Sequence, residues 1–210
     1  MARDTLHKKC KLCRRQGTKL YLKGSRCLSA KCPIEKKGAV PPGMHGLKRT
    51  RRPSAFGIQL HAKQKLKRIY GILETQLKNY YKKAKKLKGA LGLNLLILLE
   101  KRLDNIVYVS GLAQSRSHSK QIISHRHVLV NGKVLNISSY SVKIGDKISL
   151  DEKTAKKEDM KPKASDKDFK CPDWLALDKA KLEVEFISKP NRDQISQDID
   201  ENLIIEYYSR

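Results

Sequence analysis

Four cysteines near the N-terminus have the spacing of a metal site. They form a C-x2-C pair and, thirteen residues later, a C-x4-C pair: Cys10, Cys13, Cys27 and Cys32. Two short-spaced pairs separated by a loop can close a tetrahedron of four thiolates around zinc, and such a closed site is structural because it leaves no position for a substrate. We therefore expect one structural zinc ion. An iron–sulfur cluster would also accept four thiolates, and four unligated thiols are the third alternative.

The proline- and glycine-rich segment 36–57 contains a run of basic residues. Its basic run consists of Lys48, Arg49, Arg51 and Arg52. The segment has almost nothing to bury, so it is predicted to form a loop or extended arm. A basic run is often only a solvated surface, but within a strongly cationic region it is well suited to contact phosphates. We predict that these four side chains bind the backbone of a nucleic acid.

The histidines offer no catalytic arrangement. His118, His125 and His127 are close in the sequence, yet no serine, cysteine or carboxylate nearby completes a nucleophilic site. Neither of the glycine-rich phosphate loops G-x-x-x-x-G-K-[ST] and G-x-G-x-x-G occurs. The chain is therefore not expected to be an enzyme or to have a small-molecule substrate. Its histidines are expected to face a polyanion.

The charge of the chain points to a polyanionic partner. Its 46 Lys and Arg against 21 Asp and Glu give a net charge of +25. The charge is +22 over residues 1–100, +6 over 101–150 and −3 over 151–210. Nucleic acid is thus expected against the first 150 residues, while the acidic tail faces solvent or a basic protein neighbour. No apolar run reaches the roughly 18 residues of a membrane span, so we expect a soluble, cytoplasmic protein.

Helical periodicity is strongest in the middle of the chain. Apolar residues spaced by three and four predict one amphipathic helix over 60–87, with lysine and arginine on its other face. Gly89 and Gly92 are predicted to end it. Asn94 is the predicted N-cap of a second helix, LLILLEKRLDN, and a short helix is predicted over 115–125.

Strand signals follow these helices. Two β-rich runs flank Asn131-Gly132, which predicts a hairpin, and Gly145-Asp146 marks another turn. The charged stretch 151–170 is predicted to be a linker or a frayed helix. LEVEFI and LIIEYY are predicted strands near the C-terminus, with Trp174 packed between them.

Several segments together resemble one family. RLDNIVYVSGLAQSRSHSKQIISHRHVLVNGKVLNISSYSVKIGDKISL resembles a small RNA-binding module first named for a ribosomal protein. The flanking segments PPGMHGLKRTRRPSAFGIQL, KQKLKRIYGILETQLKNYYKKA and ENLIIEYYSR resemble the bacterial small-subunit ribosomal protein S4 family nearly end to end. The four-cysteine N-terminus is similar to the zinc-binding version found in some members.

The resemblance implies a structural constituent of the small ribosomal subunit. It implies a primary binder of a helix junction in the 5′ domain of small-subunit rRNA, which nucleates assembly of the subunit body. Its other implied partners are neighbouring small-subunit proteins and mRNA near the channel by which it enters, with an influence on translational accuracy. A free-standing RNA chaperone and a zinc-dependent nucleic-acid-binding regulator remain the alternatives.

Matching positions in the module imply an RNA face. Its implied members are Arg102, Asn105, Tyr108, Ser115, Arg116, Lys120, Gln121, His125, His127, Asn131 and Lys133. Asp104 belongs to the same pattern. The chain departs from the family where Val109 replaces a usual arginine, where Arg126 replaces a frequent glycine, and where Lys120 replaces an arginine and loses its bidentate geometry.

The predicted fold is α+β in four parts. Residues 1–45 form a zinc-binding basic N-terminal segment and 46–100 a basic arm with a helical domain. Residues 101–165 form the inserted RNA-binding module, with two helices and a small antiparallel sheet. Residues 166–210 supply C-terminal strands and a tail that pack back on the helical domain.

Overall fold

The structure is a computed structural model, and the residues that it describes are 8–48, 52–151, 169–179, 181–195 and 199–210. The chain divides into two compact units. One comprises Met1–Leu95 with Gln197–Arg210, and the other comprises Leu96–Ser196. Within the described ranges, every helix is too short or too polar to cross a membrane.

Eight helices occur in the described residues. Short 3-10 turns lie at Gly24–Cys27 and Arg192–Gln194. The helices are α1 (Lys9–Gln16), α2 (Pro33–Lys37), α3 (Ala55–Tyr70), α4 (Glu74–Lys85), α5 (Leu91–Glu100), α6 (Leu103–Val109), α7 (Arg116–Ser124) and α8 (Glu201–Ser209).

The predicted long helix over 60–87 is wrong, because the chain breaks at Gly71. This glycine has φ 59° and ψ 41°, the left-handed conformation that ends a helix at little steric cost. The N–H groups of Gly71 and Ile72 donate to the carbonyls of Arg68 and Lys67 at 3.3 and 3.1 Å. The chain then re-enters a helix at Glu74, so the apolar pattern continues across two helices, α3 and α4.

The predicted boundary at Asn94 is also wrong, because α5 begins three residues earlier. Asn94 is a residue of this helix, and its side-chain amide donates to the carbonyls of Leu87 and Lys88 at 3.4 and 3.2 Å. Gly92 does not end a helix. A Cβ at this position would lie 2.6 Å from Cγ and 2.8 Å from Cβ of Glu201, so glycine allows α8 to approach α5 here.

The C-terminal segment LIIEYY is a helix and not a strand. Asp200 caps α8 by accepting from the N–H groups of Asn202 and Leu203 at 3.1 and 3.4 Å. The helix packs along α3, and Ile204 is fully buried. Spacing by three and four along this segment is compatible with a helix, and the packing on α3 overrides its β-rich composition.

In the second unit, the predicted helix LLILLEKRLDN is interrupted. α5 ends at Glu100, and Arg102 takes an extended conformation (φ −69°, ψ 138°) that bridges to Ser141. α6 then begins at Leu103. The helix predicted over 115–125 is confirmed as α7, whose N-cap is Ser115.

A five-stranded antiparallel sheet completes this unit, in the order β2-β1-β3-β5-β4. Its strands are β1 (Val128–Val130), β2 (Lys133–Val134), β3 (Lys147–Leu150), β4 (Leu175–Asp178) and β5 (Glu183–Phe186). The predicted hairpin is confirmed: Asn131 and Gly132 both have positive φ, 50° and 75°, and Val130 pairs with Lys133. One face of the sheet shares an apolar core with α6 and α7.

The C-terminal region divides differently from the four predicted segments. LEVEFI is confirmed as β5, which pairs with β3 of the RNA-binding module, whereas α8 packs on α3. Trp174 is buried and meets Phe186 edge-on at 5.8 Å between ring centroids. β4 was not predicted. Most of the expected linker, residues 152–168, lies outside the described residues.

Candidate nucleic-acid interface

A buried carboxylate organises the polar side chains of the second unit. Arg102 donates from Nε and Nη2 to the two oxygens of Asp104 at 3.0 and 2.7 Å, and each side chain is only 3% exposed. The Lys120 ammonium lies 3.5 Å from the same carboxylate. Burial lowers the pKa of Lys120, and the charge of Asp104 opposes that shift. The predicted RNA ligand Arg102 therefore makes internal contacts.

A second set of contacts joins α6 to α7. Arg116 Nε donates to Asn105 Oδ1 at 2.8 Å, and its guanidinium lies 4.5 Å from the Tyr108 ring centroid. The Asn105 amide donates to the Glu100 carboxylate and, at 3.2 Å, to the Glu100 carbonyl. Asn105 and Arg116 are buried, and Tyr108 is half-buried. These side chains fix the angle between the helices.

Ser115 has a local structural task. It is buried, and its Oγ accepts from the His118 N–H at 3.2 Å, which caps α7. Burial lowers the pKa of His118, so this imidazole remains neutral over a wider pH range. Ser119 Oγ donates to the Asp104 carbonyl at 2.6 Å and holds the first turns of α6 and α7 together.

Solvent-facing members of the predicted RNA face lie at the end of α7 and along the hairpin. Gln121, His125, Asn131 and Lys133 are exposed, and His127 is half-buried. The rings of His125 and His127 lie 6.1 Å apart between centroids. Asn131 also ties the hairpin to β3, because it donates to Asp146 Oδ1 and accepts from the Lys147 N–H, both at 2.9 Å.

Arg126 joins this exposed group, although the sequence identified it only as a departure from the family. It has φ 65°, and the N–H groups of Arg126 and His127 donate to the carbonyls of Ile123 and Ile122, each at 3.0 Å. This hydrogen-bond pattern is the Schellman ending of a helix, where glycine is favoured. This backbone conformation fits the glycine that the family resemblance implies at this position.

The first unit adds a cationic helix face. Lys48 and Arg52 of the arm are exposed, while the predicted contacts Arg49 and Arg51 lie outside the described residues. The RNA-binding residues predicted from the sequence did not include a row of lysines on and just after α4. All of them are exposed: Lys78, Lys82, Lys83, Lys85, Lys86 and Lys88. Their spacing opposite the buried Leu77 and Ala84 was the available signal.

One lysine of the same region points inward. Lys63 is buried and donates to Glu74 Oε1 at 2.7 Å, and Tyr208 donates to the same oxygen at 3.0 Å. Burial alone would raise the pKa of Glu74, but the hydrogen bonds from Lys63, Tyr208 and Lys67 hold it below its ordinary value. This network ties α8 to α3 and α4.

The four predicted metal ligands lie in and between α1 and α2. Cys13, Cys27 and Cys32 are buried, Cys10 is half-buried, and all are free thiols. The Lys23 N–H donates to Cys27 Sγ at 3.3 Å. Burial raises the pKa of Cys13, and the other three sulfurs raise it further. In the described part of the chain, no three His, Cys, Asp or Glu side chains form a group arranged to hold a metal ion.

Comparison with known proteins matches both units. A model described as "Ribosomal protein S4/S9 N-terminal domain" covers residues 5–100, and the S4 domain model covers residues 101–148. Small ribosomal subunit protein uS4 of Magnetococcus marinus is 48% identical over 206 residues, 98% of each chain. The chain belongs to the uS4 family. The uS4 proteins of Halothermothrix orenii and Thermus thermophilus are each 46% identical over 202 residues, 96% of each chain.

Membership of the uS4 family confirms the resemblance seen in the sequence. The family is that of a structural ribosomal protein without enzymatic activity, so the expectation that the chain is not an enzyme is confirmed. The individual RNA contacts and the metal stay predictions. Among the RNA-binding residues implied by the resemblance, the buried ones hold the RNA-binding module together and the exposed ones face solvent.

Proposed function

We propose that this chain is a primary rRNA-binding constituent of the small ribosomal subunit. Its proposed site is a helix junction in the 5′ domain of small-subunit rRNA, where binding would nucleate assembly of the subunit body. The further proposed partners are other small-subunit proteins and the mRNA near the channel through which it enters the subunit. We propose that the chain also affects translational accuracy. The observation that carries the proposal is an exposed cationic surface on each unit, which in the second unit is accompanied by a network of buried polar contacts.

The exposed cations account for affinity. Lysines on α4 and the group around Arg126 and Lys133 are free to approach phosphates, and release of the counterions around RNA makes such contacts favourable. Because contacts to phosphates carry no base specificity, such side chains would bind many polyanions if they were flexible. Charge alone therefore does not distinguish this function from that of an RNA chaperone.

The internal network accounts for selectivity. Arg116 and Ser119 of α7 donate to Asn105 Oδ1 and to the Asp104 carbonyl of α6, and so hold the two helices together. Arg102 pairs with the Asp104 side chain at the start of α6. A rigid frame places the exposed groups at set spacings, and RNA helices are recognised mostly by shape and by phosphate positions. This arrangement supports binding to one folded RNA site in preference to unstructured RNA.

A binding competition tests this function. The affinity of the full chain for 5′-domain rRNA is compared with that for tRNA and duplex DNA between about 50 and 200 mM salt, where a protein contacting several phosphates loses on the order of a thousandfold in affinity. We expect the 5′-domain complex to outlast the others at the highest salt. An equal fall for all three would favour the chaperone or regulator alternatives.

We propose in addition that Cys10, Cys13, Cys27 and Cys32 hold one structural zinc ion. Their donor chemistry fits, because four free thiols, three of them buried, lie close enough to act electrostatically on Cys13. The Lys23 N–H that donates to Cys27 Sγ is the kind of outer contact that orients a ligand. Bound zinc would cross-link α1, which contains Cys10 and Cys13, to the segment before α2, which contains Cys27 and Cys32.

Metal analysis of protein prepared without added metal tests this proposal. We expect close to one zinc per chain, and loss of zinc, folding and rRNA affinity in Cys13→Ser. The matched control is Cys171→Ser, since burial raises the pKa of that thiol to about 11 and keeps it protonated. Iron with visible absorption would indicate a cluster instead. Little metal in the parent protein, or unaltered folding in Cys13→Ser, would reject the zinc role.

A further inference from the structure

The surface of the second unit has an open pocket that the uS4 pattern does not assign. Its volume is about 280 Å³, and Arg126, Val134 and Asn136 line it. It lies where the chain leaves α7 for β1, beside the residues that follow β2. Leu135 N–H donates to the Val128 carbonyl at 3.1 Å, which holds these two segments side by side.

The three lining residues offer complementary chemistry. Arg126 brings a planar cation, Asn136 brings an amide that donates and accepts, and Val134 is an exposed apolar side chain, 57% accessible. Within the described ranges, neither the Arg126 guanidinium nor the Asn136 amide has a hydrogen-bond or ionic partner. Both groups are thus available to a ligand.

The backbone makes Arg126 costly at this position. Its φ of 65° lies in the left-handed region, which disfavours side chains other than glycine. Strained residues of this kind concentrate at ligand-binding positions. An arginine that lines the pocket in a glycine-favouring conformation therefore points to a use for that side chain.

We infer that this pocket binds one unstacked nucleobase of single-stranded RNA. Bases displayed in loops and bulges stack on guanidinium planes and form hydrogen bonds along their edges. Val134 would contact the base, Asn136 would read its edge, and Lys133 with His125 would meet the flanking phosphates. The volume lies just below the roughly 300 Å³ at which pockets for larger ligands begin, which suits a single base.

This inference rests on the proposed RNA-binding function, and its test separates the two. The full chain is titrated with fluorescent oligoadenylate and with an abasic oligonucleotide of equal length, so that the phosphates match and only the bases differ. Stacking of one base is worth enough to expect about a tenfold preference for oligoadenylate. Arg126→Lys, which keeps the charge, and Asn136→Ala should each reduce that preference severalfold.

The controls address charge and folding. Arg126→Lys should leave the salt dependence of binding unchanged, because the number of cations is the same. Arg192→Lys, the same substitution outside the pocket, should keep the full preference. Trp174 fluorescence melting checks that each variant is folded. If Arg126→Lys and Asn136→Ala keep the parent preference, the pocket does not bind a base.

A parallel titration with 5′-domain rRNA and tRNA isolates the underlying function. If the parent protein prefers the 5′ domain but the pocket variants keep the parent base preference, only the pocket inference fails. If the parent protein shows no preference for the 5′ domain, the proposed function fails whatever the oligonucleotides show. A preference for 5′-domain rRNA together with a base preference that falls in both variants supports both.

Discussion

Asp104→Asn should destabilise the second unit more than any exposed substitution. Asp104 and Arg102 form two hydrogen bonds at 3.0 and 2.7 Å with both side chains about 3% exposed. Removing one partner leaves the Arg102 charge without the carboxylate that neutralises it, which typically costs about 3–5 kcal/mol in a buried pair. An exposed pair would cost at most about 1 kcal/mol. We expect a loss of about 3 kcal/mol, at the lower end of the range for buried pairs.

Urea unfolding followed by fluorescence measures this loss. Trp174 is the chain's single tryptophan and is buried in the same unit, against Phe186. The control Asp193→Asn changes an exposed carboxylate of that unit and should shift stability by no more than about 0.5 kcal/mol. A second variant, Asp104→Asn with Arg102→Met, should recover part of the loss, because methionine in place of Arg102 removes the buried charge that the first substitution leaves without its carboxylate.

Two results would refute this reasoning. A loss below about 1 kcal/mol in Asp104→Asn would mean that the pair behaves like an exposed one. A double variant less stable than the single variant would mean that Arg102 stabilises the module through contacts other than its ion pair. Either result would also weaken the argument that a rigid network produces selectivity for one RNA site.

Three further predictions concern local features. Glu74→Gln should cost roughly 1 kcal/mol at neutral pH, since the carboxylate is 44% exposed. Folding lowers the pKa of Glu74, so its contribution to stability is present above about pH 4.3 and is lost on acidification. The stability of the variant, measured by urea unfolding across this pH range, should therefore depend less on pH than that of the parent protein. Arg126→Gly should stabilise by about 0.5–1 kcal/mol in urea, since φ 65° suits glycine, and unchanged stability would contradict the strain. Gly92→Ala should lower the melting temperature followed by helical circular dichroism, because its new Cβ would collide with Glu201. The control Gly57→Ala, whose Cβ would have no contact closer than 3.4 Å, should not lower it. Equal effects of the two substitutions would refute the packing argument.

Local turn chemistry was predictable from the sequence, and helix limits were not. Asn131-Gly132 identified its hairpin because both residues tolerate positive φ. Gly71 was overlooked because the apolar spacing continues through it into α4. At the C-terminus, β-rich residues suggested a strand, but Asp200 caps a helix whose Glu206 accepts from Gln59 at 2.8 Å. That partner is distant in the sequence, so no local pattern reveals it.

The candidate site was predicted as a set of residues without their separate tasks. Matching a family motif places Arg102 and Arg116 beside Gln121 and His125, but the first two are buried and the others are exposed. Internal and external contacts differ in burial, which depends on the packing of α6 and α7. Arg126 shows the converse, since its backbone conformation and its pocket become visible only in three dimensions.

Hydroxyl-radical footprinting of 5′-domain rRNA with the full chain tests the central claim most directly. A rigid module with cations at fixed spacings predicts protection confined to one helix junction, at protein concentrations that leave the remaining RNA fully cleaved. The lysine face of α4 and the group around Lys133 should both contribute, so substitutions in each should reduce protection at different nucleotides of that junction. Weak protection spread along the whole RNA would contradict the account and identify the chain as a general polyanion binder.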